Sequence, residues 1–236
     1  MAAMAPHAVW STPVAYADPL QMTQAANAIV AGRVVSYTAG QVSGWDVPVT
    51  LTVAVSRTLK GSPYPVGTVL KVSYVERPGS DIGASQGRFG LFFLRCSATT
   101  CSQATPLHLD TPALPGGPAT ARPSSDPAQR VRDEYLALAL ADDEVLAGLT
   151  SASVGGAVRA GFVRQDALRL LSAFPLAPVV DDLKRLAHAP APGPRLAVLS
   201  LLAGAGDYSL LNQADAEMLH PMPATEQMAR HLASVL

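Results

Sequence analysis

The chain has 236 residues, 49% of them hydrophobic and only 15% charged, with a formal net charge of −1 at neutral pH. That much apolar material argues against general disorder, and the length accommodates one or two domains with real cores. The near-zero charge argues against a surface that holds nucleic acid through its phosphates. No apolar run reaches the roughly 18 residues of a membrane-spanning helix.

Residues 1–17 read MAAMAPHAVWSTPVAYA and end in Ala15-Tyr16-Ala17, the small-x-small form of a signal-peptidase site. No Lys or Arg stands near Met1, and Pro6 and Pro13 break the stretch that an export signal keeps apolar. Residues 1–20 are therefore expected as a leader, either disordered or part of an export signal. Residues 21–110 are expected as the barrel domain, and from Asn27 to Leu109 the pattern is extended. Ile29, Ala31, Arg33, Val35 and Tyr37 alternate with Val30, Gly32, Val34 and Ser36. Val47 to Leu59 alternates again, with Val49, Leu51, Val53 and Val55 on one face and Thr50, Thr52, Ala54 and Ser56 on the other. Thr68 to Val75 is a third strand and Phe89 to Arg95 a fourth, whose Leu91-Phe92-Phe93-Leu94 run implies burial on both faces. Ala104 to Leu109 is a candidate fifth. Five strands at this spacing favour a small closed barrel.

Between the last two strands stand the two cysteines, Cys96 and Cys101. Four intervening residues suit a tight hairpin that brings the two Cα atoms within reach of a disulfide, which an exported chain would keep. Two buried thiols are the alternative. A zinc site would need a second ligand pair, and only His108 lies nearby.

Residues 111–127 form a linker by composition, with Pro112, Pro115, Pro118, Pro123 and Pro127 excluding a helix or a central strand. Beyond it, in residues 128–236, the period becomes helical. Ser125 or Asp126 caps a first helix with Pro127 at its first position, and Val131, Tyr135, Leu138 and Ala139 share a face. Further helices are expected at Val154 to Phe174, Val179 to Ala187, Pro194 to Ala203 and Glu226 to Leu236. Arg164, Leu168, Leu170 and Leu171 map onto Arg195, Leu199, Leu201 and Leu202 at a constant offset of 31. Such a repeat fits either an α-solenoid of HEAT-like units or an irregular bundle. The fold class expected is thus mixed, β then α: a five-stranded OB-like barrel followed by an all-α domain.

The runs AANAIVAGRVVSY, TLTVAVSRTLKG, GTVLKV and GRFGLFFL resemble a bacterial exported domain similar in fold to the OB barrels of the tissue-inhibitor-of-metalloproteinase and netrin-like modules. The likeness covers about residues 25–95 and rests on Gly32, Leu59-Lys60-Gly61 and Gly87 to Leu94. It implies the barrel and export. Asn27 stands where relatives carry an acidic residue. The inhibitor family chelates a protease zinc through an N-terminal Cys, and no Cys precedes Cys96 here, so that mechanism does not carry over.

Other patterns resolve into ordinary structure. Gly83-Ala84-Ser85-Gln86-Gly87 matches the Gly-x-Ser-x-Gly nucleophile elbow, but it precedes a strand and no parallel βαβ unit supports it, so Ser85 reads as loop. His7, His108, His188, His220 and His231 form no metal pair, and His108-x-Asp110 reads as a surface pair. Asp142-Asp143-Glu144 and Asp181-Asp182 read as charge at helix ends. Tyr37, Tyr74, Phe89, Phe92 and Phe93 are available for base stacking, but with few cations around them Phe92 and Phe93 are expected in the barrel core. No catalytic residue, cofactor site or metal site is therefore expected. The chain reads as an exported, periplasmic or extracellular, binding or scaffolding protein with a protein partner in the cell envelope. The alternative is a hydrolase, or an inhibitor of an extracellular hydrolase, with a site between the domains.

Overall fold

The computed structural model describes residues 18–44, 46–76, 86–104, 110–118, 124–149, 156–188 and 192–210. It opens on a helix that the sequence reading missed, α1 (Pro19–Ala25). Asp18 caps this helix by accepting from the Leu20 N–H, and Pro19 takes the first position, where no N–H is needed. Six strands follow: β1 (Ala28–Ala39), β2 (Val47–Lys60), β3 (Val69–Glu76), β4 (Phe89–Ser97), β5 (Thr100–Gln103) and β6 (Asp110–Pro112). β1 pairs with β2, β2 with β3, β3 with β5 in parallel, β5 with β4, and β4 returns to β1. These five strands close a barrel whose order is compatible with an OB-like domain.

The fifth strand differs from the expectation in position. It starts at Thr100, directly after a two-residue turn, and lies against Leu94–Ser97 of β4. Residues 105–109, with His108, lie outside the described residues. β6 then takes the place of β5 farther along β4, opposite Gly90–Phe92. Pro112 is tolerated there because, among the described residues, β6 pairs on one side only.

Two motifs of the resemblance have architectural roles. A Cβ on Gly32 would stand 2.6 Å from the Ala54 carbonyl oxygen of the neighbouring strand. Gly61, at φ +90°, takes a left-handed turn, and a Cβ there would stand 2.6 Å from the Asn27 carbonyl oxygen. Lys60 beside it donates to the Thr23 and Gln24 carbonyl oxygens at 2.7 and 3.4 Å, capping the C-terminal end of α1.

After the strands come α2 (Pro127–Leu140), α3 (Asp143–Ala147), α4 (Gly156–Leu171), a 3-10 turn at Ala177–Val179, α5 (Val180–Ala187) and α6 (Pro192–Gly204). Asp126 is the cap of α2, accepting from the Ala128 N–H. Arg164 of α4 donates to the Ala139 and Ala141 carbonyl oxygens at the end of α2 and to Asp143 in the first turn of α3. α4 and α6, which carry the matched Arg-x-x-x-Leu positions, pack on each other. The expected helix at Glu226 to Leu236 lies outside the described residues.

Two cores result from the alternation of β4. Phe92 and Leu94 point into the barrel with Val30, Val53, Leu70 and Val72. Leu91 and Phe93 point out of it, join Ile29 and Ala31, and share a second core with Met22 of α1 and Val131, Tyr135 and Leu138 of α2. Phe92 thus fills the barrel as expected, whereas Phe93 serves the packing of barrel against helices. The start of the proline-rich connection is built into this contact: Ala113 is buried, and the Thr111 hydroxyl bonds the Tyr135 hydroxyl at 3.0 Å inside the core.

One ion pair fastens the two layers. Arg57 of β2 meets Glu134 of α2 through two bonds, Nε to Oε1 at 2.7 Å and Nη2 to Oε2 at 2.5 Å. It also donates to the Leu114 and Pro115 carbonyl oxygens, and its guanidinium stands 5.6 Å from the centre of the Phe89 ring. The Glu134 side chain is 3% exposed. Replacing Arg57 with Ala would strand that carboxylate, and the expected cost is about 3 kcal/mol, read as a lower urea midpoint. The double variant Arg57→Met, Glu134→Leu removes both charges and is expected to recover most of that loss.

Candidate binding surface

The predicted pair Cys96 and Cys101 sits face to face across β4 and β5 and is joined in a disulfide. Because Leu94 faces the barrel interior, Cys96 two residues on faces the same way, and Cys101 is buried against Val72 at one end of the barrel. Beyond the bridge, the chain turns through Ala98, whose φ is +55°, and Thr99. Ser97, Ala98, Thr99 and Thr100 are all exposed.

This tip is held from three sides. Asn27 accepts from the Cys96 N–H through Oδ1 at 2.7 Å and donates from Nδ2 to the Cys96 carbonyl oxygen at 3.0 Å. Its own N–H donates to the Leu94 carbonyl oxygen, so the amide side chain extends the β1–β4 ladder by one step. A carboxylate in its place would offer no donor to the Cys96 carbonyl, so both bonds need the amide. The Tyr64 hydroxyl, from the β2–β3 connection, donates to the Ala98 carbonyl oxygen at 3.0 Å. The Lys71 N–H donates to the Thr99 carbonyl oxygen at 2.9 Å.

Next to the tip lies the sheet face turned away from the helices. Cross-strand partners place Thr38, Thr50, Ser73 and Ser102 in one row and Ser36, Thr52, Lys71, Thr100 and Ser97 in the next. Hydroxyls dominate both rows, with Lys71 charged in the second and Arg95, opposite Ser102, charged at the end of the first. This face offers many donors and acceptors, with the tip at its rim.

The remaining candidates are scattered. Ser85 and Gly83 of the elbow-like motif, and His7, His108, His220 and His231, lie outside the described residues. His188 is the exposed C-cap of α5. Asp142 caps α3, Asp143 pairs with Arg164, and Asp181 and Asp182 occupy the first turn of α5, with Asp182 bonded to Arg185. Among the described residues no His, Cys, Asp and Glu side chains converge into a metal-binding group. None of their helices is long and apolar enough to cross a membrane. The sequence reading missed an open cleft of about 560 Å³ at the far end of the helices, where Lys184, Asp181 and Tyr208 meet Asp207. Comparison of the chain with family models, with curated proteins and with solved structures returned no match.

Asn27→Asp is expected to cost about 1 kcal/mol of unfolding free energy. The double Cys96→Ser, Cys101→Ser variant is expected to cost about 2 kcal/mol, the loop-closure value for so short a ring, both by chemical denaturation. In the cleft, the Lys184 ammonium, 2.6 Å from Asp207, together with the Ser209 hydroxyl and N–H, lowers the Asp207 pKa from 3.8 to about 2. A lowered carboxyl favours the folded state above its ordinary range and loses that effect as pH falls through about 2. Lys184→Met is expected to move the Asp207 midpoint back up toward its ordinary value in an NMR titration.

Proposed function

We propose that the chain is an exported binding or scaffolding protein of the bacterial cell envelope, meeting a protein partner through the Ser97–Thr100 tip and the hydroxyl-lined face beside it. The observation that carries this reading is a loop that is exposed yet fixed, held by the Cys96–Cys101 bridge and by the bonds from Asn27, Tyr64 and Lys71. A loop ordered before docking loses little conformational entropy when it binds. The bridge also favours an oxidising compartment, in keeping with Ala15-Tyr16-Ala17 as a cleavage site. In the same reading the barrel is an OB module of the inhibitor and netrin-like kind, and the matched α4 and α6 belong to HEAT-like units. The role needs no cofactor, no metal and no nucleic acid.

The test is a photo-reactive residue placed at Ala98 in the native host. A discrete adduct in the envelope fraction is expected, lost when Cys96 and Cys101 are both Ser. The intact mass of chain from that fraction is expected to start at or near Asp18 and to lie two hydrogens below the reduced mass. A cytosolic chain with both thiols free and no adduct would overturn the reading.

A further inference from the structure

The two hydroxyl rows carry charge of one sign. Ser and Thr are 32 of the 236 residues, yet they fill eight of the ten places in those rows, and the other two are Lys71 and Arg95. Neither row contains a carboxylate. The cross-strand pairs next to them add Pro48 and Val75 on one side and Arg33, Ala54 and Val69 on the other, again without an acid. The surrounding sequence leans the same way. From Asn27 to Gln103 there are seven basic and three acidic residues, against ten and fifteen in the rest of the chain.

The two cations stand at opposite corners of a block. Lys71 is opposite Thr100 and Arg95 is opposite Ser102, with β5 between β3 and β4. Three strands by two rows thus give Ser73, Ser102 and Arg95 in one row and Lys71, Thr100 and Ser97 in the other. All six are exposed. The strand spacing and the rise per residue put the Lys71 and Arg95 Cα atoms about 12 Å apart. Lys71 pairs with no carboxylate among the described residues. Arg95 uses one of its N–H groups, at Nε, on the Ala25 carbonyl oxygen at 3.4 Å.

A carboxylate is the complement of each corner. It only accepts, and it takes charge-assisted bonds from an ammonium or guanidinium together with bonds from nearby hydroxyls. Lys71 has Thr100 and Ser73 beside it, and Arg95 has Ser102 and Ser97. Neither row holds an aromatic side chain, so neither a nucleobase nor a sugar ring finds a face to stack on. None of the six side chains is apolar, so the block has no pocket for a hydrophobic anchor.

We propose that the protein partner meets this block with an acidic patch of its own surface, Asp or Glu carboxylates pairing with Lys71 and Arg95. The inference rests on the reading of this face as a protein-binding surface and supplies the chemistry of what docks there. Exposed ion pairs of this kind steer and select more than they tighten, and a basic surface is turned away.

The test uses the photo-reactive residue at Ala98 in the native host and compares adduct yield at equal chain level. Lys71→Glu combined with Arg95→Glu is expected to lower the yield roughly tenfold. Thr50→Lys, which adds a cation to the first row, is expected to raise it. Retention of the two-hydrogen mass difference from the Cys96–Cys101 bridge checks that each variant folds. The cross-linked segment of the partner, sequenced from the adduct, is expected to be rich in Asp and Glu. A yield that survives the double reversal overturns the acidic partner alone. Where the reversal fails the mass check, Thr50→Lys carries the test, and a yield that does not rise overturns it. No adduct before any charge is changed, or an adduct whose added mass is carbohydrate or nucleic acid, overturns the protein-binding reading as well.

Discussion

The double burial of strand β4 is the constraint on which the rest of the architecture depends. A strand of a small barrel ordinarily shows one face to solvent, but here Leu91 and Phe93 on the outer face are as deeply buried as Phe92 and Leu94 on the inner one. The outer face must therefore be covered, and α1 and α2 supply the cover. Arg57 and Glu134 fix how that cover lies. The pair is bidentate, almost wholly removed from water at the Glu134 end, and tied to the carbonyls of the connecting segment. Apolar packing holds the helices to the barrel without much directional preference. The charged contact selects one rotation, because any other leaves Glu134 buried and unpaired.

The opposite side of the barrel is organised differently. Among the described residues no helix packs over the two hydroxyl rows, and the strands there carry mostly small outward side chains. At the rim, the bridge, the Asn27 amide and the Tyr64 hydroxyl converge on one turn. One wall of the barrel is thus committed to internal packing and the other is presented outward, with the cross-linked hairpin as its most firmly held protrusion.

Much of this was legible in the residues. Period-two alternation located the first four strands closely, and the Leu-Phe-Phe-Leu run announced two-sided burial, though not that its second face met helices. The cysteine spacing pointed to a hairpin bridge. What escaped did so for identifiable reasons. Asp18-Pro19 is the same cap-and-proline signature as Asp126-Pro127, but it stood at the edge of a presumed leader and only seven helical residues follow it. The fifth strand is four residues long and paired in parallel on one side, too brief to show a period. The roles of Lys60 and Asn27 depend on partners far away in sequence, 37 residues in one case and 69 in the other. The proline-rich connection read as a spacer because composition does not register that Thr111 and Ala113 are buried against α2. Ser85 and most histidines entered the reading through short motifs, and the described part of the fold gathers no chemistry around His188 or the acidic clusters.

That buried connection changes how the barrel can be regarded as a unit of inheritance. A module that moves between proteins by recombination must be soluble when cut free of its neighbours. Severed after Gly116, this barrel would bare Ile29, Leu91, Phe93 and the ring of Phe89 along one continuous side, and Arg57 would lose its carboxylate. The transferable piece therefore cannot end at Gly116 and reaches beyond α2, whose Tyr135 packs on Phe174 after α4 in the same core. Strands and first long helix would have to be gained, lost or duplicated together.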